Sequence, residues 1–160
     1  MKRFVVSGLI AAMLAGTATV ALADQPRAKT FVAVMSAAEE VPTCGPATDA
    51  ARGVAKFRVT DAATGTVEYK VVANNLPGDI TAAHIHVGPP GVATPGNIVQ
   101  PLALEPGAEN GVVGRGTFTN PTLVAQIQAD PHNYYVNVHS NICPPGVIRG
   151  QLDDHGPLNN

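Results

Sequence analysis

Short β-prone runs separated by turn residues recur from residue 30 to residue 152, and they limit the fold more than any other feature of the sequence. Several runs alternate apolar and polar side chains, and the 14 prolines and 16 glycines lie mostly between them. This spacing is typical of antiparallel sandwiches and barrels and not of βαβ units. The predicted strands cover 30–37, 53–60, 66–73, 80–87, 98–104, 112–119, 134–139 and 147–152.

Some connections between these runs also have informative sequences. Residues 61–65, with the sequence DAATG, predict a hairpin turn, and Asn110-Gly111 supplies residues that tolerate positive φ. Asn120 followed by a proline and by apolar residues at helical spacing predicts a short helix over 121–129. We therefore expect an all-β domain, a single antiparallel β-sandwich or barrel of about eight strands, with one short helix.

The N-terminal segment has the pattern of a secretory signal peptide. Lys2 and Arg3 precede an apolar run over 4–22, and small residues stand at the predicted cleavage point after Ala23. No later apolar run approaches the roughly 18 residues of a membrane helix, so we expect no membrane insertion after cleavage. The pattern predicts a periplasmic or secreted protein.

Cleavage of the signal peptide, residues 1–23, leaves 137 of the 160 residues, which is enough for one domain and too few for two. We expect a linker over 24–29, the domain over 30–152 and a polar tail over 153–160. The signal takes two of the ten basic residues with it, so eight remain against twelve acidic residues, a net charge of −4. This balance gives no indication of nucleic-acid binding.

Cys44 and Cys143 are the only cysteines. In an oxidising compartment two thiols normally pair, so we predict a disulfide between them. Closing a loop of about 100 residues stabilises a fold by up to roughly 4 to 5 kcal/mol on the chain-entropy model. The alternative is that Cys143, four residues after His139, is a thiolate ligand of copper(I).

Three histidines have the strand parity to meet on one face. His84 and His86 lie two residues apart in the sequence AAHIHV, so they share a face while the intervening apolar residues take the core side. In the later run YYVNVH, Val136 and Val138 face the core and His139 faces away from it, together with Tyr135 and Asn137. The pattern leaves open whether these two strands are neighbours.

Three roles are open for these histidines. They can hydrogen-bond to nearby loops, they can bind a metal such as copper through neutral imidazole, or they can take part in catalysis. Arg149 presents a similar choice: its guanidinium can guide an anion to a metal, or it can pair with a carboxylate such as Glu39 or Glu40. We favour the structural pairing for Arg149 and predict no catalytic residue.

Two blocks of the sequence resemble the signatures of a known family. AAHIHVGPPG at 82–91 and YYVNVHSNICPPGVIRGQL at 134–152 are similar to the paired blocks of the CHRD domain, the module named from chordin and also found singly in exported bacterial proteins. Residues 35–42 and 66–71 resemble its opening and middle blocks. The chain departs from the family pattern at 143–147, CPPGV, so the cysteine pair is an addition to the common framework.

The resemblance implies a β-sandwich of immunoglobulin-like or superoxide-dismutase-like character, but no activity, because the family has no generally established biochemical function. We expect an exported, non-enzymatic module of the cell envelope that binds an unknown protein or surface partner. The alternative is a periplasmic copper-binding protein, since copper-zinc superoxide dismutases place a similar histidine pair and a distant third histidine on a sandwich. Only His132 and His155 remain here for a dismutase's additional ligands, so the similarity implies a single-copper site, redox-active or not.

Overall fold

The computed structural model describes residues 29–45, 48–94 and 97–154. The predicted signal peptide lies outside the described residues, as do most of the linker and the tail. The described part contains eight strands and one α-helix, and the predicted all-β fold is confirmed. The strands are β1 (Thr30–Ser36), β2 (Arg52–Asp61), β3 (Thr66–Asn74), β4 (Ile80–Val87), β5 (Ile98–Leu102), β6 (Gly111–Thr119), β7 (Tyr134–Ser140) and β8 (Ile148–Asp153), and the helix is α1 (Pro121–Ala129).

All eight strands belong to one antiparallel sheet in the order β5-β4-β7-β8-β1-β2-β3-β6. The two edge strands, β5 and β6, follow each other in the chain. An isolated antiparallel bridge between Leu104, just after β5, and Gly114 of β6 draws the edges together. The sheet is therefore nearly closed, and its concave side encloses the core.

The core follows from the alternation of side chains along the strands. In β1 the side chains of Phe31, Ala33 and Met35 are buried, while Val34 between them is 53% exposed. The inward residues of β7, Val136 and Val138, are fully buried, as their parity predicted. Because successive side chains of a strand point to opposite faces, each strand contributes every second residue to one interior.

The predicted hairpin turn and the predicted helix are both present. β2 and β3 form a hairpin, and the Asp61 carboxylate accepts hydrogen bonds from the backbone N–H groups of Ala63 and Thr64 in its turn. The Asn120 side chain accepts from the backbone N–H of Leu123 and so caps α1. Gly111 has φ 83°, the conformation expected there.

Two pairings of distant segments complete the sheet. β4 pairs with β7, which establishes the neighbourhood that the sequence left open. β8 pairs with β1, placing Val32 opposite Asp153 and Ser36 opposite Arg149. None of the helices in the described ranges has the length and apolar character needed to span a bilayer.

Candidate metal centre

The register of β4, β7 and β8 sets six polar or aromatic side chains in two rows on the convex face of the sheet. Residues directly opposite each other on antiparallel strands point to the same face, with Cβ atoms about 4.5–5.5 Å apart. The first row contains His84, Asn137 and Arg149, and the second contains His86, Tyr135 and Gln151. His139 lies one row further along β7, opposite the small side chain of Ala82.

The three predicted histidines converge. One potential ligand nitrogen from each of His84, His86 and His139 lies within 4.8 Å of the others. The Nδ1 of His84 is 3.1 Å from Nε2 of His139, and the ring centroids of the three imidazoles are 5.0 to 6.0 Å apart. The three side chains that strand parity placed on one face therefore lie together, because the pairing of β4 with β7 makes their strands neighbours.

The hydrogen bonds around these rings leave lone pairs for a ligand. The Nδ1 of His139 is 2.9 Å from the carbonyl oxygen of Pro144 and must donate to it, because a carbonyl cannot donate. The Nε2 of His139 therefore accepts a hydrogen bond from Nδ1–H of His84, which leaves the lone pair of His84 on its Nε2, and a metal ion bound by His139 Nε2 would replace this bond. His86 is only 4% exposed, and neither of its nitrogens has a hydrogen-bond partner among the described residues. A buried imidazole without partners is costly to a fold, so this position needs an explanation beyond packing.

The electrostatics keep the histidines neutral. Burial, together with charge repulsion from His84, His139 and Arg149, lowers the pKa of His86 to about 4. Burial and the neighbouring His139 lower the pKa of His84, and burial lowers the pKa of His139 although the Pro144 carbonyl opposes this effect. Neutral imidazole is the form that binds metal ions, so no proton must leave these rings at neutral pH.

The loop after β4 covers one side of the site. Arg149 donates through its two Nη atoms to the carbonyl oxygens of Val92 and Pro89, at 2.8 and 2.9 Å. Its guanidinium also stacks on the Tyr135 ring at 3.6 Å, and the other aromatic contact of this ring is with His86, 4.9 Å away and nearly parallel. The Thr94 and Tyr135 hydroxyls, 2.8 Å apart, hold the far end of the loop.

The expected ion pair of Arg149 is not formed. In the described part of the chain no carboxylate oxygen lies within 4.0 Å of its guanidinium, which donates instead to the loop carbonyls and to Gln151 Oε1. Glu39 is exposed, whereas Glu40 is only 5% exposed. Burial raises the pKa of Glu40 to about 7, although Arg149 and the Asn137 amide lower it. Arg149 therefore anchors a loop and does not neutralise an acid by contact.

The predicted disulfide closes the opposite side of the site. Cys44 and Cys143 are bonded, with Cα atoms 6.1 Å apart and a sequence separation of 99. The alternative role of Cys143 as a thiolate ligand is wrong, because its sulfur is bonded to Cys44. The bond joins the segment after Glu40 to the segment that carries Pro144, the hydrogen-bond partner of His139.

A cleft of about 270 Å³ opens between these two covers. His86 and His139 lie in its wall together with Glu40, Asn137 and Arg149. The remaining wall is largely apolar and includes Val41, Pro42, Ala93, Ile98, Pro144 and Pro145. His84, His86 and His139 could hold a metal ion here, and the cleft would give a small molecule access to it.

Replacing Arg149 with alanine is expected to lower the free energy of unfolding by about 2–4 kcal/mol, since three charge-assisted hydrogen bonds and the Tyr135 contact are lost. Urea denaturation measures this change. Arg149→Lys keeps the positive charge but loses the planar guanidinium with its paired donors, so it should recover less than half of the lost free energy of unfolding. Arg115→Ala removes an exposed ion pair with Glu105 and should cost less than about 1 kcal/mol. Equal losses at positions 149 and 115 would contradict the anchoring role.

Sequence reasoning missed part of the site. Gln151, two residues after Arg149 on the same face of β8, donates to the carbonyl oxygens of Gly88 and His132 and was not singled out. Thr94 was also missed, because nothing in a loop sequence shows which hydroxyl will meet Tyr135. Strand parity was the available signal for Gln151, since it shares the parity of Arg149.

Comparison with known proteins identifies the family of the chain. Among curated proteins none matches the chain. The family model of the CHRD domain matches residues 31–152, which extend from β1 into β8 and include all three histidines. The chain therefore belongs to the CHRD domain family.

Proposed function

We propose that this CHRD protein is exported and binds one copper ion through His84, His86 and His139. The observation that carries the proposal is the convergence of three imidazoles whose ligand nitrogens lie within 4.8 Å of one another, one of them on a buried histidine without a hydrogen-bond partner in the described residues. A metal ion would supply one nitrogen of His86 with a partner that the described residues do not provide.

The donor set favours copper over other metals. Neutral imidazole nitrogen suits copper, zinc, iron and nickel, and copper(II) binds most tightly among the divalent ions of the series. The carboxylates that magnesium or calcium would need are not part of the three-histidine cluster. The hydrogen bond from His139 to Pro144 is the kind of outer contact that fixes the orientation of a metal-binding ring.

Two features support export. The N-terminal sequence has the order of charged, apolar and small residues that signal peptides share. The disulfide between Cys44 and Cys143 is of the kind that persists in oxidising compartments. A protein purified from the periplasm or medium should have the mass of a chain that begins at Asp24.

Copper titration of the purified protein from Asp24 onward tests the metal site. We expect one tightly held copper ion per chain after exhaustive buffer exchange, and none in His84→Ala or His139→Ala. His132→Ala removes an exposed histidine and should retain the metal. If the protein retains zinc in place of copper, the three-histidine site is supported and the identity of the ion is corrected to zinc. If the unmodified protein retains neither, the proposal fails, and the interaction-module interpretation, with a protein or surface partner, is favoured.

A further inference from the structure

A carboxyl group and an amide face each other in the wall of the cleft. Asn137 donates through Nδ2 to Glu40 Oε2 and to the carbonyl oxygen of Pro145, both at 3.4 Å. Both side chains are buried. The other two oxygens of the pair, Glu40 Oε1 and Asn137 Oδ1, are inaccessible and have no hydrogen-bond partner in the described ranges. Two buried acceptors thus lack a donor.

Both of these acceptor oxygens lie where a side chain on Gly146 would begin. A Cβ atom added to Gly146 would be 2.6 Å from Glu40 Oε1 and closer still to Asn137 Oδ1. Neither oxygen can donate to the other when both are acceptors, but a protonated carboxyl has an O–H to donate. With a proton on Glu40, Oε1–H could donate to Asn137 Oδ1 while Nδ2–H donates to Glu40 Oε2, which would close a ring of two hydrogen bonds.

The groups around Glu40 act on its charge in opposite ways. Arg149 on β8 favours the carboxylate by its charge, and His86 on β4 and His139 on β7 share the cleft wall as neutral rings. Tyr135 of β7 also lines this wall, and the neighbouring acid, Glu39, points to solvent. Burial outweighs Arg149 and raises the pKa of Glu40 to about 7, in agreement with the ring geometry.

We propose that Glu40 carries a proton in the metal-free protein, shares it with Asn137, and releases it to solvent when a metal ion binds to the three histidines. This inference rests on the proposed function. In the step the carboxyl O–H bond breaks, its electron pair stays on Glu40, and the proton leaves to the buffer, with no change of oxidation state. The resulting carboxylate offsets one positive charge of the ion inside the cleft.

The number of protons released on copper(II) binding tests this step. Calorimetric titrations at about pH 6 in buffers of different ionisation enthalpy give that number. We expect the unmodified protein to release about one proton more than Glu40→Gln, whose amide N–H replaces the carboxyl O–H without a titrating group. Glu39→Gln makes the same substitution at the exposed neighbour and should release as many protons as the unmodified protein. Equal release by all three proteins would overturn the proposal.

A second measurement needs no metal. The infrared spectrum of the metal-free protein at about pH 6 should contain the C=O band of a protonated carboxylic acid, present in Glu39→Gln and missing in Glu40→Gln. Absence of this band from the unmodified protein would show that Glu40 is ionised and would refute the inference. If the band is present and copper does not bind, the proton on Glu40 stands and the metal-binding proposal fails, so the two failures are distinguishable.

Discussion

His86→Phe is expected to lower the affinity for copper at least a hundredfold and, at the same time, to stabilise the metal-free protein. The phenyl ring can keep the stacking contact with Tyr135, now made at 4.9 Å, and it removes two buried nitrogens that have no hydrogen-bond partner in the described part of the chain. Removing such groups relieves a desolvation cost of about 1–3 kcal/mol each. The neighbouring cleft gives room for the larger ring.

Two measurements on the same variant check this result. Copper titration gives the affinity, and urea denaturation after treatment with a chelator gives the free energy of unfolding without metal. His132→Phe, at an exposed position, serves as the control and should change neither quantity appreciably. A strong loss of stability in His86→Phe would mean that His86 serves the fold, and unchanged copper affinity would remove it from the metal site.

Removing the disulfide is expected to have the largest effect on stability. In the double variant Cys44→Ala, Cys143→Ala we expect the free energy of unfolding to fall by roughly 3–5 kcal/mol, because the bond closes a loop spanning 99 residues of sequence separation. We also expect weaker copper binding, since Pro144, which orients His139, directly follows Cys143.

Urea denaturation with and without a reducing agent tests the disulfide. The reductant should shift the unfolding midpoint of the unmodified protein toward that of the double variant, and it should leave the double variant unchanged. The two alanines avoid placing a polar group at Cys143, which is fully buried. A midpoint that is insensitive to both treatments would show that the packing of the core suffices without the bond.

The strands were predictable because each has a short local pattern. Side chains alternate with a period of two, and the bounds of most strands follow from that alternation and from the flanking glycines and prolines. The start of the helix was predictable for a similar reason, since Asn120 is a typical capping residue and Pro121 is favoured in the first helical turn. In the same way the faces of His84, His86 and His139 followed from parity alone.

The contacts within the site could not be predicted from any local sequence pattern. His84 and His139 are 55 residues apart, and only the pairing of β4 with β7 makes them neighbours. The partners of Arg149 are backbone carbonyls of the loop at 89–92, which any residue type supplies, so the sequence favoured a carboxylate instead. The burial of Glu40 beside exposed Glu39 likewise depends on which segment covers the cleft.

The pairing of the first strand with the last has a consequence for how such a domain can be combined with others. Val32 near the start of β1 lies opposite Asp153 at the end of β8, so the chain enters and leaves the sheet at the same place. A unit whose entry and exit points adjoin can be inserted into a loop of a host protein, or repeated in tandem, without stretching the junctions. By the same geometry, a circular permutant that joins these two points through a short linker should keep the architecture.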